Sequence, residues 1–344
     1  MHETLQSGTS LEAHRQTFPP RRTPASTSFL VQQTRRRSLI SFEVFPPKPL
    51  RTGTSGSRPS KSDGVWQSIT RMAEAEPDYF SVTHGHQQPP GAHRELIRQL
   101  LSTTRRPVMA HLICAGSTTE SMRSTIKDLL EDGVRDILAL RGDPPRGTSD
   151  WIHQPAGLNR AAELIRMIRE VENEALTPPA GPGARPLSVA AAAYPPSGGG
   201  RDYAADLASL WEKQEAGADY AITQVFYDPE DYAQLVDDAR SQGIHLPIVA
   251  GVAPLTDPGR LKRLEEISRV PVPPRLLDYL STGSAQQRRR GVAASLSLID
   301  SVLELGCPGL HLFTFNRHHA ALAILDHLRI RDAARQQSNP LLRH

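Results

Sequence analysis

The chain alternates between two hydrophobic periods from residue 39 to residue 334. Short apolar runs with a period of two predict β-strands, and longer stretches with a period near 3.6 predict amphipathic helices. The predicted strands lie at residues 39–45, 78–83, 107–114, 136–140, 187–194, 219–224, 247–252 and 309–315. The predicted helices lie at residues 66–76, 94–104, 118–132, 158–173, 203–216, 230–241 and 320–334, with a longer helical section at 260–305.

Strands that alternate with helices pair in parallel through right-handed crossovers, and eight such units close into a barrel. The expected fold is therefore α/β, a (β/α)8 TIM barrel with an extra helical insertion before the last strand. Several predicted helices are followed by a glycine, which can adopt the left-handed conformation that ends a helix before the next strand. These glycines are Gly133, Gly217, Gly243 and Gly306. A doubly wound open sheet is the alternative, but it normally has a glycine-rich turn after its first strand, where this chain has Pro46 and Pro47.

The segments that flank the predicted barrel differ from it in composition. Residues 1–37 are rich in Ser, Thr, Pro, Gln and Arg and have few large apolar side chains, which predicts a disordered N-terminal tail. An organelle transit peptide is the alternative for this segment, although Glu3 and Glu12 are unusual in one. We expect the barrel domain at residues 38–335 and a C-terminal tail at residues 336–344.

Composition and charge argue against several classes of protein. The formal charge is only +3 for 344 residues, and much of the arginine excess lies in the tail and in Arg288, Arg289 and Arg290, which argues against nucleic-acid binding. No apolar run approaches the ~18 residues that cross a bilayer, which argues against a membrane protein. Cys114 and Cys307 lie outside any metal-ligand spacing, so we expect packed thiols in a reducing, cytoplasmic compartment and no metal site.

Polar residues occur at the carboxyl ends of most predicted strands. In a parallel barrel these ends meet at one mouth, where barrel enzymes hold their active sites. The residues concerned are Glu43, Thr83, His111, Arg141, Gly142, Asp143, Tyr194, Gln224, Asn316 and Arg317. Each has a structural alternative, such as a core histidine for His111, a cap for Gln224 or a turn former for Asp143. Their convergence from seven strands favours a site, and the small residues at 188–193 would leave room there for a flat ligand.

Glu43 is the acid of the first strand. With a period of two it shares one strand face with Leu39 and Ser41, while Ile40 and Phe42 lie on the other face. The apolar face would pack under helices, so Glu43 is expected to point into the mouth of the barrel. A solvent-exposed carboxylate at a frayed strand end is the alternative.

Several segments of the chain resemble the 5,10-methylenetetrahydrofolate reductase family. They are residues 41–48 (SFEVFPPK), 80–85 (FSVTHG), 110–112 (AHL), 138–144 (LALRGDP), 192–195 (AAYP), 216–219 (AGAD), 222–224 (ITQ) and 312–317 (LFTFNR). The segments occur in the family order and extend over about residues 39–330. Several motifs with preserved spacing are more specific than a single short match.

The resemblance implies an oxidoreductase of one-carbon metabolism and methionine supply. It implies a barrel that holds non-covalent FAD, takes electrons from NADH or NADPH, and reduces 5,10-methylenetetrahydrofolate to 5-methyltetrahydrofolate. Glu43 takes the position of the general acid that opens the folate ring, and Asp143 that of an aspartate near both flavin and pterin. The implied cofactor-binding residues are Thr83, His111, Arg141, Gly142, Asp143, Ala161, Tyr194, Asp206 and Lys213. The implied substrate-binding residues are Gln224, Phe313 and Arg317.

The implied partners are folate and nicotinamide small molecules, with no nucleic acid and no membrane, and a homo-oligomer is left open. The two carboxyl groups suit different roles. Burial in a largely apolar mouth is expected to raise the pKa of Glu43 and keep it protonated, as a proton donor requires. Asp143 is expected to stay ionised beside Arg141 and to stabilise a cationic iminium intermediate.

The chain departs from the family pattern at several positions. Residues 196–201 (PSGGGR) replace a segment in which the family has a histidine near the flavin pyrophosphate. Arg160 and Phe313 stand where tyrosines are common, and Pro258 stands where a phenylalanine stacks on substrate. The glycine-rich loop could still bind phosphate, with Arg201 supplying charge. Two alternatives follow from these changes: direct hydride transfer from NADH to folate without FAD, and a catalytically silent folate-binding paralogue.

Overall fold

Eight parallel strands form a closed barrel in chain order, with β1 paired to both β2 and β8. The structure is a computed structural model that describes residues 38–47, 61–84, 91–142, 157–177, 185–197, 200–281 and 283–338. The strands are β1 (Leu39–Val44), β2 (Tyr79–Val82), β3 (Val108–Ile113), β4 (Asp136–Leu140), β5 (Ser188–Ala193), β6 (Tyr220–Thr223), β7 (Ile248–Val252) and β8 (Gly309–Phe313). The predicted (β/α)8 barrel is confirmed, and the open-sheet alternative is wrong because β1 pairs with β8.

Helices cover the outside of the barrel between successive strands. They are α1 (Lys61–Glu74), α2 (Ala92–Thr103), α3 (Thr119–Glu131), α4 (Ala161–Ala175), α5 (Tyr203–Glu215), α6 (Pro229–Ser241), α7 (Pro258–Ser268), α8 (Pro274–Leu280), α9 (Ser284–Glu304) and α10 (His318–Ser338). None of these helices is long and apolar enough to span a membrane. The predicted N-terminal tail at 1–37, and the C-terminal segment from residue 339 onward, lie outside the described residues.

The helical insertion before the last strand consists of three helices, α7 to α9. The sequence predicted one longer helical section here. Arg269 ends α7 in a left-handed conformation with φ of 61°, and Pro271 and Pro273 follow. Prolines cannot continue a helix because they lack the backbone N–H donor. The section is therefore divided at these residues, and α8 begins at Pro274.

Two separate apolar clusters lie on the two faces of the sheet. Phe42 and Val44 belong to the larger cluster between the strands and the surrounding helices. Leu39, Tyr79 and Met109 belong to the cluster inside the barrel. The first strand therefore has the two faces that its alternation predicted, and Glu43 lies on the inner face. The glycines predicted to release the chain after helices have positive φ, with values of 93°, 102°, 76° and 82° at positions 133, 217, 243 and 306.

The loop after β8 is fixed to the end of β1 by one side chain. The Asn316 amide nitrogen donates to the Phe45 carbonyl at 2.8 Å, and the Asn316 Oδ1 accepts from the Phe45 N–H at 2.8 Å. Phe315 and Asn316 both have left-handed backbones, with φ of 51° and 55°. The Phe315 ring stacks on the Phe45 ring at 6.4 Å between centroids. Asn316 thus joins the first and last strands at the mouth.

Asn316→Ala is expected to lower the free energy of unfolding by about 2 kcal/mol, because it leaves two partly buried backbone groups of Phe45 without partners. Asn316→Gly removes the same hydrogen bonds but tolerates the positive φ, so the difference in stability between the two variants gives the cost of the left-handed backbone, about 1 kcal/mol. Urea unfolding of both variants measures this cost and the cost of the lost hydrogen bonds. Wild-type stability in both variants would show that Asn316 does not join the two strands.

Candidate active site

The strand register brings polar side chains of β1, β2 and β8 together inside the barrel. Ser41 is opposite His311 on β8, and Glu43 is opposite Ser81 on β2. All four of these residues are buried. The inner face of a strand repeats every second residue, so Ser41 and Glu43 form two successive layers, with Glu43 nearer the mouth.

Glu43 is held by hydrogen bonds on both carboxylate oxygens. The Thr83 hydroxyl donates to Oε1 at 2.9 Å, and His311 Nε2 lies 3.1 Å from Oε2. The backbone carbonyl of Glu43 accepts from the Thr314 hydroxyl at 2.5 Å. The Glu43 and His311 side chains are 9% and 1% exposed. The acid is therefore fixed in position before any ligand binds.

The pKa of Glu43 is lowered from its ordinary value, and the sequence-based expectation of a raised pKa is wrong. Burial alone raises the pKa, but the hydrogen bond from His311, the charges of His111 and His311, and the hydrogen bond from Thr83 together outweigh burial. The sequence showed an apolar strand around the acid and did not show the histidine of β8 beside it. Glu43 is consequently ionised at neutral pH.

His311 has a hydrogen-bond partner at each ring nitrogen. Its Nε2 faces the Glu43 carboxylate, which only accepts, so Nε2 carries a hydrogen. Its Nδ1 lies 2.8 Å from the Ser41 hydroxyl, which either donates or accepts. The Ser41 hydroxyl also lies 3.4 Å from the Leu310 carbonyl, which provides an acceptor when Nδ1 is protonated. Ser41, His311 and Glu43 therefore form a continuous row of hydrogen-bonding groups.

His111 lies on the other side of Glu43, on β3. Its Nε2 lies 2.6 Å from the Ser81 hydroxyl. The pKa of His111 is lowered to about 4, chiefly by burial; the charge of Glu43 opposes this shift, and the charges of His311 and His84 contribute to it. His111 is neutral at neutral pH and acts there as a hydrogen-bonding group.

The stability of the protein is expected to fall between pH 6.5 and pH 4 because of His111. The unfolded histidine binds a proton below its ordinary pKa of 6.5, whereas the folded one does so only below about 4. This difference costs about 3 kcal/mol of stability over that interval. His111→Gln keeps a partner for Ser81 and removes the titration, so wild-type stability should fall more steeply than that of the variant. Urea unfolding at about pH 7 and about pH 4.5 tests this, and parallel losses would contradict it.

A cluster of cations surrounds the end of β5. The Lys213 ammonium is 6% exposed and donates to the Ala192 carbonyl at 2.9 Å. The pKa of Lys213 is lowered to about 8, chiefly by burial; the charge of Asp206 opposes this shift, and the charges of Arg201 and Arg141 contribute to it. The Lys213 nitrogen lies 5.7 Å from the centre of the Tyr194 ring. We call Arg141, Tyr194, Arg201, Asp206 and Lys213 the basic cluster.

The other predicted site residues that the structure describes make no hydrogen bond to Glu43. Phe313 ends β8, and its ring meets the His311 ring edge-on at 5.1 Å. Gln224 follows β6, and its Oε1 accepts from the Val225 N–H at 2.8 Å, so the side chain folds onto its own backbone. Arg317 is exposed in the loop after β8, Ala161 begins α4 and Gly142 follows β4. Asp143 lies outside the described residues.

Three polar residues of the site were not among the predicted site residues: Ser41, Ser81 and His311. The alternation of inward and outward residues along β8 would have identified His311 from the sequence. It is the polar residue of an otherwise apolar strand and lies two positions before Phe313, on the same face. In the described part of the chain, no group of three or more His, Cys, Asp or Glu side chains could hold a metal ion.

Comparisons with known proteins identify relatives of this chain. The 5,10-methylenetetrahydrofolate reductase of Escherichia coli (strain K12) is 28% identical over 296 residues, which are 85% of this chain and 91% of that protein. The methylenetetrahydrofolate reductase (NADH) 1 of Arabidopsis thaliana is 28% identical over 313 residues and 87% of this chain. The chain spans only 50% of that plant protein, so it covers about half the length of the plant relatives it matches.

Among solved structures, an uncharacterized protein from Clostridium thermocellum that binds two copies of 5-methyl-5,6,7,8-tetrahydrofolic acid superposes with a TM-score of 0.60. The identity is 14%, and the superposition covers 89% of this chain and 99% of that one, which shows a shared fold. A family model described as methylenetetrahydrofolate reductase matches residues 30–329. This match extends over most of the chain, including every strand of the barrel. The chain therefore belongs to the methylenetetrahydrofolate reductase family.

Proposed function

We propose that this protein reduces 5,10-methylenetetrahydrofolate to 5-methyltetrahydrofolate, with NADH or NADPH as the electron source and FAD as the cofactor. The observation that carries the proposal is the buried pair of Glu43 and His311 at the mouth of the barrel, 3.1 Å apart. Membership of the family supports the reaction, and the basic cluster supports the cofactor.

The residues around β5 fit a flavin dinucleotide. Its diphosphate needs cations, and Arg141, Arg201 and Lys213 lie near one another beside Tyr194. Its ring system needs a flat space, and the inner face of β5 offers only Ser188, Ala190 and Ala192. The chemistry supplied by bound FAD is hydride transfer in two stages, from the nicotinamide and then to the folate.

Glu43 is assigned the proton transfer that opens the folate ring. Opening breaks the bond between the methylene carbon and N10, and N10 must then gain a proton. The resulting iminium cation at N5 is the acceptor of the hydride. Thr83 and His311 orient the Glu43 carboxyl group, so its proton can be directed at one nitrogen of the substrate.

His311 is assigned the supply of that proton. Because Glu43 is ionised at neutral pH, a proton must reach it in each turnover before it can donate one. The overall reaction consumes one proton along with the reduced nicotinamide, so the supply must be renewed each time. When His311 carries a hydrogen on both nitrogens, it donates from Nδ1 to the Ser41 hydroxyl and transfers the Nε2 proton to Glu43, and a proton from the solution at the mouth replaces it at Nε2.

Further residues are assigned to the ligands by their place at the mouth. Phe313 offers an apolar ring beside His311, and Arg317 an exposed cation for the folate carboxylates. Gln224 would have to release the Val225 N–H to bind folate or nicotinamide. Asp143 is assigned the stabilisation of the iminium cation, because the chain places it directly after Arg141 and Gly142.

The absorption spectrum of the purified protein tests the cofactor, and NADH oxidation in the presence of methylenetetrahydrofolate tests the reaction. We expect a yellow protein whose flavin is bleached by NADH and recoloured by methylenetetrahydrofolate. A colourless protein that still catalyses the reaction would contradict the FAD assignment and favour direct hydride transfer. A protein that binds folate without turnover would favour a silent paralogue.

A further inference from the structure

Arg201 occupies a defined position in the basic cluster, although it follows a loop whose sequence departs from the family pattern. Its Nε donates to Asp206 Oδ2 at 2.7 Å, and its Nη2 pairs with Asp206 Oδ1. Its guanidinium carbon lies 3.8 Å from the centre of the Tyr194 ring. A carboxylate on one edge and an aromatic ring on one face fix the plane of the guanidinium group.

The basic cluster has a positive excess that a dinucleotide would neutralise. Arg141, Arg201 and Lys213 are the cations, and Asp206 is the carboxylate of the cluster. Glu212 also faces Lys213, but both of its oxygens accept from Arg160 Nη1, at 2.8 Å and 2.9 Å, so that pair is neutral. The cluster therefore keeps about two positive charges, and the diphosphate of FAD carries about two negative ones.

We propose that Arg201 binds the diphosphate of FAD and that Asp206 is a positioning residue that holds Arg201 over Tyr194 for this purpose. The proposal rests on the proposed function, since it names a residue for that cofactor. It gives Asp206 an indirect role, because a carboxylate placed directly beside a diphosphate would repel it. Arg201 thus supplies guanidinium N–H donors where the altered loop lacks the histidine of the family pattern.

The test is a titration of the full-length protein with flavin after bound flavin has been removed. The quenching of flavin fluorescence measures binding. We expect Arg201→Ala to weaken FAD binding by about 10- to 100-fold, as for the loss of one charge-assisted hydrogen bond. Riboflavin has no phosphate, so its affinity should stay within about twofold. Arg263→Ala is the matched control, because Arg263 is also an exposed arginine paired with a carboxylate, Glu266, and it should bind FAD as the wild type does.

The two possible roles of Asp206 predict opposite effects of Asp206→Asn on the affinity for FAD. If Asp206 positions Arg201, the variant binds FAD more weakly, by about 3- to 10-fold, and the loss disappears in the Arg201→Ala background. If Asp206 is only a nearby negative charge, the variant binds FAD more tightly in both backgrounds. Thermal unfolding of the flavin-free variants reports whether either change damages the fold.

The outcomes separate this inference from the proposed function. Wild-type protein that fails to bind FAD would overturn both. Wild-type protein that binds FAD, together with an Arg201→Ala variant of equal affinity, would overturn the inference alone. An equal loss of FAD and riboflavin affinity in Arg201→Ala would also overturn it, because the residue would then act on the fold or on the ring system.

Discussion

Glu43→Gln is expected to slow the reduction of methylenetetrahydrofolate by about 100- to 10,000-fold, the range that a positioned general acid contributes. Glutamine has the same shape and can still accept from Thr83 and contact His311, so the mouth should keep its geometry. It has no acidic proton to give to N10. Reduction of the flavin by NADH needs no such proton and should change by less than about threefold.

Stopped-flow measurement of the two half-reactions separates these effects. Asp300→Asn is the matched control, because Asp300 is also a carboxylate paired with a histidine, His327 at 3.2 Å, and the pair joins α9 to α10 outside the barrel. It should leave both half-reactions unchanged. Equal damage to both half-reactions in Glu43→Gln would show that Glu43 acts on the cofactor or the fold and would refute its assignment as the acid.

His311→Gln is expected to slow folate reduction by about 10- to 100-fold at neutral pH. Glutamine can still donate to Glu43 from its amide, so the orientation of the carboxyl group should persist. Glutamine cannot take up a proton and pass it on, so the supply of protons to Glu43 should be lost. Single-turnover measurement of folate reduction gives the size of this loss.

The size of the loss distinguishes proton supply from simple support of Glu43. Glutamine keeps a donor beside the carboxylate, so a histidine that only oriented Glu43 would be replaced with a loss of less than about threefold. His327→Gln, which removes the histidine of the outer pair, is the control and should leave the rate unchanged. A loss of less than about threefold in His311→Gln would remove the proton-supply role.

The barrel was predictable from the sequence because its signals are local. Strand period, helix period and the glycines after helices each depend on a few neighbouring residues, and all eight predicted strands are present. The inward direction of Glu43 followed from the same local alternation. The break between α7 and α8 was also local, since Pro271 and Pro273 are visible in the sequence, but the prediction did not use them.

The electrostatics of the site depended on contacts that no local pattern contains. The pKa of Glu43 is set by His311 and by His111, which are distant in the chain and reach the acid only through the strand register. The same holds for Arg201, whose place over Tyr194 depends on how the loop after β5 returns to α5. The residue types at the mouth could be predicted from the sequence. Their protonation could not, because it depends on which side chains the closed barrel brings into contact.

The closing strand pair has a consequence for the order in which the protein acquires activity. Glu43 and His311 are separated by 268 positions in the sequence, and Asn316 ties the same two strands together at their ends. A chain still being synthesised therefore has its acid long before it has the histidine beside that acid. A fragment that ends before β8 would lack both His311 and the hydrogen bonds from Asn316 to Phe45, so it would neither close the ring of strands nor hold Glu43 for opening a folate ring.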